Sequence, residues 1–260
     1  MQNKVRELWQ AGRPVANGWL SIGNSFAAEI VAAQGYDAVT IDLQHGMIGI
    51  TDALPMLQAL RACGVAALVR VPTLESGIIG KVLDAGAVGV ICPLIDTAAE
   101  AAALVAAVRY PPLGGRSYGP ARAAIVHGVD YWSTANAEII CLAMIETRSG
   151  MDNLEAIVKT PGLDGVYIGP SDLTLGLENG RLPPGFDRRE PQMIAAIRNI
   201  IDTAHAAGIK ACLHNGSSDY AAQAVGWGAD LVTLLNDARL LAAAAAASVD
   251  RFRELTGPRQ

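Results

Sequence analysis

Four apolar runs in this chain end on reactive side chains. Ile41-Asp42-Leu43-Gln44-His45 ends on a carboxylate and an imidazole, Val69-Arg70-Val71-Pro72 on a guanidinium, Met144-Ile145-Glu146-Thr147 on a carboxylate, and Ile168-Gly169-Pro170-Ser171-Asp172 on another. If Glu146 and Asp172 meet, they repel unless a proton or cation lies between them, and hard oxygen donors suit Mg²⁺ or Mn²⁺. Two protein carboxylates leave most of an octahedral shell open to water and a chelating 2-oxoacid. Helix capping or a salt bridge would account for the same residues, because Asp172 opens a helical pattern and Glu146 precedes one. Arg70 closes an otherwise apolar run and needs an anionic partner. That partner is a substrate carboxylate or enolate oxygen, or Asp42 in a structural ion pair. His45 stands just past its run, where a general base could act, with an ordinary structural imidazole as the alternative.

The other histidines are weaker candidates. His127 lies in a long irregular stretch and His205 near the end of a helical pattern. His214 is a rival, because Asn215-Gly216-Ser217-Ser218 follows it. Such a loop holds phosphate in some barrel enzymes, and a serine helix cap explains it equally well. The four lysines are Lys4, Lys81, Lys159 and Lys210. A Schiff-base mechanism needs a lysine at the reactive end of the strands. Lys210 opens its run, at the opposite end, so a metal is the better electron sink.

For these groups to meet, the runs must be parallel strands of one sheet. Strands are expected near Ala16–Ile22, Ala38–Leu43, Ala66–Val71, Val88–Pro93, Ile139–Ile145, Gly165–Ile168, Ile209–Leu213 and Asp230–Leu234. Helical patterns such as Asp52–Cys63, Ser76–Ala85, Thr97–Val108, Met193–Ala207 and Ser218–Trp227 fall between them, and Gly35, Gly64, Gly86, Gly208 and Gly228 sit where helices should stop. Near-continuous apolar strands are those of a parallel sheet buried on both faces. Eight of them predict an α/β TIM (β/α)₈ barrel. The alternative, an open doubly wound sheet, lacks a GxGxxG after the first strand and a GxxxxGK[ST] anywhere. The expected layout is one domain over 1–260, with a long loop insertion at about 110–136 and a C-terminal helix at about 237–255.

Composition fits this reading. Apolar residues make up 51% and charged residues 17% of 260, and the formal charge is −5 without a basic stripe, so nucleic-acid binding is not expected. Met1–Gly12 carries no apolar run behind a basic start, and no apolar stretch is long enough to span a membrane. Cys63, Cys92, Cys141 and Cys212 are far apart, as in a reduced cytoplasmic protein.

Taken in order, these segments resemble the HpcH/HpaI aldolase/citrate lyase family, and within it the class II pyruvate aldolases. The resemblance rests on Gly35-Tyr36-Asp37, Ile41–His45, Val69–Pro72, Leu83-Asp84-Ala85-Gly86-Ala87, Gly115-Arg116-Ser117, Met144–Thr147 and Asp164–Leu173. It implies that Glu146 and Asp172 hold a divalent metal (Mg²⁺ or Mn²⁺, with Co²⁺ or Zn²⁺ also admissible). It implies that Arg70 binds the ketone or enolate oxygen and that the backbone around Gly169, Pro170 and Ser171 takes the carboxylate. His45 would deprotonate the 4-hydroxyl of a 4-hydroxy-2-oxoacid, giving an aldehyde and a pyruvate enolate. The family pairs its catalytic histidine with an aspartate matching Asp84, although Asp84 falls on the helix after the third strand, running away from the reactive rim.

The resemblance further implies a homo-hexamer with exchanged C-terminal helices; an apolar face on Leu240–Phe252 is compatible, and so is packing onto the chain's own barrel. One departure concerns Met144, where familiar members carry glutamine, so a hydrogen-bond donor to bound oxoacid is missing. The aldehyde pocket is expected from the Tyr110–Asn136 stretch, where Arg116 and Arg122 suggest an anionic tail or interface ion pairs. A CoA-thioester lyase of the citramalyl or malyl type and a non-catalytic barrel are the competing readings.

Overall fold

Every strand pairs in parallel with the next in sequence, and the last pairs with the first, closing a barrel among residues 2–257, which the computed structural model describes. The strands are β1 (Val15–Leu20), β2 (Ala38–Asp42), β3 (Ala66–Arg70), β4 (Gly89–Cys92), β5 (Ile140–Ile145), β6 (Gly165–Ile168), β7 (Lys210–Asn215) and β8 (Leu231–Leu234). The helices are α1 (Lys4–Gln10), α2 (Ser25–Ala32), α3 (Ile50–Ala62), α4 (Ser76–Asp84), α5 (Ala98–Val108), α6 (Ala123–His127), α7 (Tyr131–Glu138), α8 (Arg148–Asp152), α9 (Leu154–Val158), α10 (Pro170–Glu178), α11 (Pro191–Ala206), α12 (Ser218–Gly226) and α13 (Asp237–Thr256). This is the TIM-barrel α/β fold that the alternation predicts. The ends of the expected domain, residues 1 and 258–260, lie outside the described residues.

The period of two along each strand separates two cores. Val39, Ile41, Ala67, Val69, Val90, Cys141 and Val166 face outward and are buried under the helices. Their neighbours Ala38, Ala66, Leu68, Ile91, Leu142, Tyr167, Cys212 and Leu231 fill the barrel, and Val5, Leu8 and Trp9 of α1 plug its amino-terminal end. Continuing the inward parity up the strands reaches Asp42, Arg70, Met144, Glu146 and His214. The chemistry is therefore the top layer of the same stack that forms the interior.

The stretch expected to be irregular from Tyr110 to Asn136 carries α6 and most of α7. Sequence patterning missed them because both are short, and α7 has almost no apolar face beyond Tyr131 and Ala135. At the amino-terminal face, Asp164 accepts from Arg6 Nη2 at 2.7 Å, Arg109 Nη2 at 2.6 Å and the Cys141 N–H at 2.7 Å. It thus ties α1, α5 and β5 to the start of β6. Lys210 and His205 converge on Asp230 at the same end, each at 2.8 Å. Among the described residues no helix is long and apolar enough to cross a membrane.

Replacing Asp164 with Ala leaves Arg109, only 3% exposed, without its carboxylate. The expected cost is about 3 kcal/mol, read as a lower urea midpoint, with catalytic constants little changed because the site is at the other end of the barrel.

Candidate active site

A cavity of about 460 Å³ opens at the carboxyl ends of the strands. His45, Arg70, Glu146, Gly169, Pro170, Ser171 and Asp172 all line it, joined by Trp19, Asp42, Met144, Tyr167, Phe186, His214 and Arg239. Of the catalytic, substrate-binding and metal-ligating residues expected from sequence, Asp84 alone lies elsewhere. It ends α4, which runs down from the rim, so its carboxylate reaches the hollow beside Lys81 and Ser117. There it accepts from Arg116 Nη2 at 2.6 Å.

The rim is organised by Asp42. Its register partner across β2 and β3 is Arg70, and the pair is bidentate: Arg70 Nε to Oδ1 at 2.8 Å and Nη2 to Oδ2 at 2.6 Å. Oδ1 also accepts the backbone N–H groups of Gln44 at 3.0 Å and His45 at 3.2 Å, and Oδ2 accepts Trp19 Nε1 at 3.1 Å. Burial by itself would raise the Asp42 pKa. The hydrogen bond and charge of Arg70, then the donors from His45 and Trp19, hold it below the ordinary value. Of the two partners open to Arg70, Asp42 is therefore one in fact. Nη1 of Arg70 has no hydrogen bond among the described residues and remains for a second anion. The His45 loop is fixed through its backbone, while its side chain stays exposed.

Glu146 contrasts with Asp42. It is 3% exposed and accepts one hydrogen bond, on Oε1 from the Leu94 N–H at 3.0 Å. Leu94 adopts a left-handed backbone, φ +55°, uncommon for a branched residue. Burial pushes the Glu146 carboxyl up to about 7. The Leu94 N–H opposes that rise, the Asp172 charge adds to it, the Arg70 charge opposes it, and Asp96 adds again. Neither carboxylate is a helix cap: α8 is capped by Thr147, whose Oγ accepts from Gly150 N at 2.9 Å, and α10 by Gly169. Asp172 has no hydrogen-bond or ion-pair partner among the described residues. A side chain on Gly169 would collide with Glu146 Oε2 and come within 3.0 Å of Met144 Cε, so glycine leaves the room the carboxylate occupies. Pro170 at the start of α10 has no N–H, which leaves Ser171 and Asp172 to present unpaired donors at the helix start.

The donor chemistry fits a hard divalent cation: two oxygen ligands, one of them disfavoured as a bare anion. Among the described residues no three His, Cys, Asp or Glu side chains group as a metal site, so a cation would complete its shell with water or substrate oxygens. None of the four lysines lines the cavity.

Sequence reasoning passed over Trp19, Tyr167, Phe186 and Arg239. Trp19 and Tyr167 carry the inward parity of their strands, a signal that was available. Phe186 comes from the loop after α10 and sits under the Arg239 guanidinium, 4.9 Å from its ring, which nothing local in sequence announces. The Gly216–Ser217 loop takes Asp187 as its anion, at 2.6 Å from both Gly216 N and Ser217 Oγ, and Ser217 caps α12. No residue of the Tyr110–Asn136 stretch lines this cavity; Arg116 is spent on Asp84 and Arg122 on the Ala85 carbonyl.

Known proteins resemble this chain in both sequence and fold. The family model for HpcH/HpaI aldolase/citrate lyase matches residues 18–244. A hydroxypyruvate/pyruvate aldolase of Rhizorhabdus wittichii is 41% identical over 243 residues, covering 94% of this chain and 96% of its own. A 5-keto-4-deoxy-D-glucarate aldolase of Klebsiella pneumoniae is 32% identical over 254 residues, 97% of each chain. The crystal structure of a family protein from Burkholderia cenocepacia superposes with a TM-score of 0.85 at 33% identity, covering 92% of this chain and 95% of that one. With the barrel and its rim as described, the chain belongs to the HpcH/HpaI aldolase/citrate lyase family and is an aldolase, a carbon–carbon lyase.

Proposed function

We propose that this aldolase depends on a divalent metal held by Glu146 and Asp172 and cleaves 4-hydroxy-2-oxoacids to pyruvate or a close 2-oxoacid and an aldehyde, with the reverse addition available. The observation that carries the reading is the pair of carboxylates, one buried with its pKa raised to about 7, in one cavity with Arg70 and His45. Mg²⁺ or Mn²⁺ suits two hard oxygen donors. The chemistry such a cation supplies there is Lewis-acid polarisation of the oxoacid ketone.

The chain's own groups do the rest. Ser171 and Asp172 offer backbone N–H groups at the start of α10 to the substrate carboxylate. Arg70, held rigid by Asp42, directs Nη1 at the ketone oxygen and stabilises the negative charge that grows on it. His45 accepts the 4-hydroxyl proton as the C3–C4 bond breaks, its electrons passing to the enolate and the aldehyde carbonyl forming. Met144 replaces a hydrogen-bond donor with a thioether, so the oxoacid is held by fewer polar contacts on that wall.

The reading also takes the protein as a homo-hexamer with exchanged C-terminal helices. From Ala238 onward α13 is exposed, with Leu241, Phe252 and Leu255 64%, 65% and 68% exposed. Its first turns line the cavity through Arg239 and Ala242, but the exposed remainder favours exchange over self-packing. Asp84 and the Tyr110–Asn136 segment would then serve the site of a neighbouring copy. Light scattering is expected to give about six chains, and truncation before Leu240 to dissociate them; a monomeric full chain would refute this assembly.

Pyruvate release from a racemic 4-hydroxy-2-oxoacid is expected to vanish on chelation and return with Mg²⁺ or Mn²⁺. Glu146→Gln and Asp172→Asn should each lose about 10²–10³-fold in kcat, and Gly169→Ala should weaken Mn²⁺ binding at least about tenfold. Release that survives chelation and both carboxylate substitutions would overturn the metal assignment. Glu146 must shed its proton to bind a cation. Mn²⁺ affinity, followed by titration calorimetry, should therefore fall as pH drops below about 7 and level off above it.

A further inference from the structure

Leu94 keeps its left-handed backbone, φ +55°, with little help from its own side chain, which is 54% exposed. A branched residue adopts that conformation at a cost, and it persists only where the chain on either side is fixed. The Leu94 N–H is the hydrogen-bond donor to Glu146, 3.0 Å from Oε1. Whatever holds Leu94 in place therefore also decides how Glu146 is held.

The segment after β4 is fastened residue by residue. Ile95 is fully buried and donates its N–H to the Met144 carbonyl at 3.3 Å. Asp96 is tied by each of its polar parts. Its N–H donates to Glu100 Oε2 at 2.9 Å, its carbonyl accepts from Asn153 Nδ2 at 2.9 Å, and its Oδ1 accepts from the Thr147 hydroxyl. Only the last of these reaches the residue that follows Glu146. Leu94 to Glu146 and Asp96 to Thr147 are thus two rungs between the same pair of segments, and the second sets the spacing at which the first is made.

Thr147 serves both sides of this clamp. Its hydroxyl gives its hydrogen to Asp96 and accepts the Gly150 N–H at 2.9 Å, which caps α8. The two segments are also closely seated. A side chain on Gly150 would come within 3.2 Å of the Ile95 carbonyl oxygen and 3.4 Å of Asp96 Oδ1. Neither Asp96 nor Thr147 lines the active-site cavity, so each can act there only through Glu146.

We propose that Asp96 is a positioning residue for the cation site: through Thr147 and the Leu94 N–H it commits Oε1 of Glu146 to the protein and leaves Oε2, on the side that Gly169 keeps open, for the metal. The inference rests on the reading of Glu146 as a metal ligand and adds the residue behind that ligand. Groups that orient a ligand from outside the coordination shell are typically worth about 10–100-fold in metal affinity.

The test is titration of Mn²⁺ onto the purified full chain, with free Mn²⁺ followed by electron paramagnetic resonance. Asp96→Ala should weaken binding about tenfold or more. Asp96→Asn, whose amide oxygen still accepts from Thr147, should restore most of the affinity. Asp164→Ala, which destabilises the opposite end of the barrel, should lower the urea midpoint and leave Mn²⁺ affinity unchanged. Wild-type affinity in Asp96→Ala would overturn the assignment. So would an Asp96→Asn protein as weak as Asp96→Ala, or an equal loss in Asp164→Ala, which would mark a general effect of stability. Absence of Mn²⁺ binding in the wild type would instead strike the parent reading. If Asp96→Ala does not fold, Thr147 carries the same comparison from the other side of the clamp. Thr147→Ser keeps the hydroxyl and should bind as the wild type does, and Thr147→Val should lose affinity; equal binding by the two would refute the proposal.

Discussion

The buried ion pair between Asp42 and Arg70 is the interaction on which the rest of the site depends. A guanidinium 8% exposed at the top of a barrel needs a counter-ion, and the register of β2 with β3 sets Asp42 directly opposite. The same carboxylate holds the backbone of His45 and the indole of Trp19. A single side chain therefore fixes the proposed anion-binding group, the loop bearing the proposed base and the aromatic wall. Bidentate geometry also takes rotational freedom from Arg70, so its remaining N–H groups are aimed before any ligand arrives.

That arrangement follows from the parity of the barrel more than from any loop. Ala38, Thr40 and Asp42 lie on one side of β2, and Ala66, Leu68 and Arg70 on one side of β3. The lower members pack the interior and the upper ones face the cavity. A shift of one residue in either strand would send the charge into the helical layer, where Ile41 and Val69 now pack. Fold and site are thus specified by the same alternation, which explains how a chain with 17% charged residues still concentrates several of them at one rim.

The strands were legible because parallel strands buried on both faces leave continuous apolar runs, and all eight fall within a few residues of where those runs lie. The polar residues closing the runs were legible for the same reason. What sequence could not show lies in tertiary contacts. Whether Arg70 meets a substrate or Asp42 is decided by strand register. That Gly216 and Ser217 are closed to an external anion is decided by Asp187, from a different loop. The helices α6 and α7 escaped notice because they are short and weakly amphipathic. Asp84 shows the limit of motif reasoning within one chain: its helix carries it to Arg116, and only an assembly of copies would return it to a histidine.

Two acidic residues in one cavity have opposite electrostatic fates, and the contrast bears on the proposed cation site. Asp42 carries a guanidinium and three further donors, and its pKa is lowered despite burial. Glu146 is nearly as buried and has one N–H donor on its carboxylate; burial, with the charges of Asp172 and Asp96 adding to it, raises its pKa. Groups whose environments drive their pKa values apart have different work to do. An enzyme that needed only a structural carboxylate at position 146 would gain by neutralising it, as Asp42 is neutralised. Instead the fold spends a left-handed Leu94 and the absence of a side chain at Gly169 on keeping that carboxylate buried and under-compensated. Such a carboxylate would gain from the proposed divalent ion, and Asp172, without a partner among the described residues, would share it. Asp42 and Arg70, already matched, would compete little for that ion, so charge compensation at the two sites remains separate.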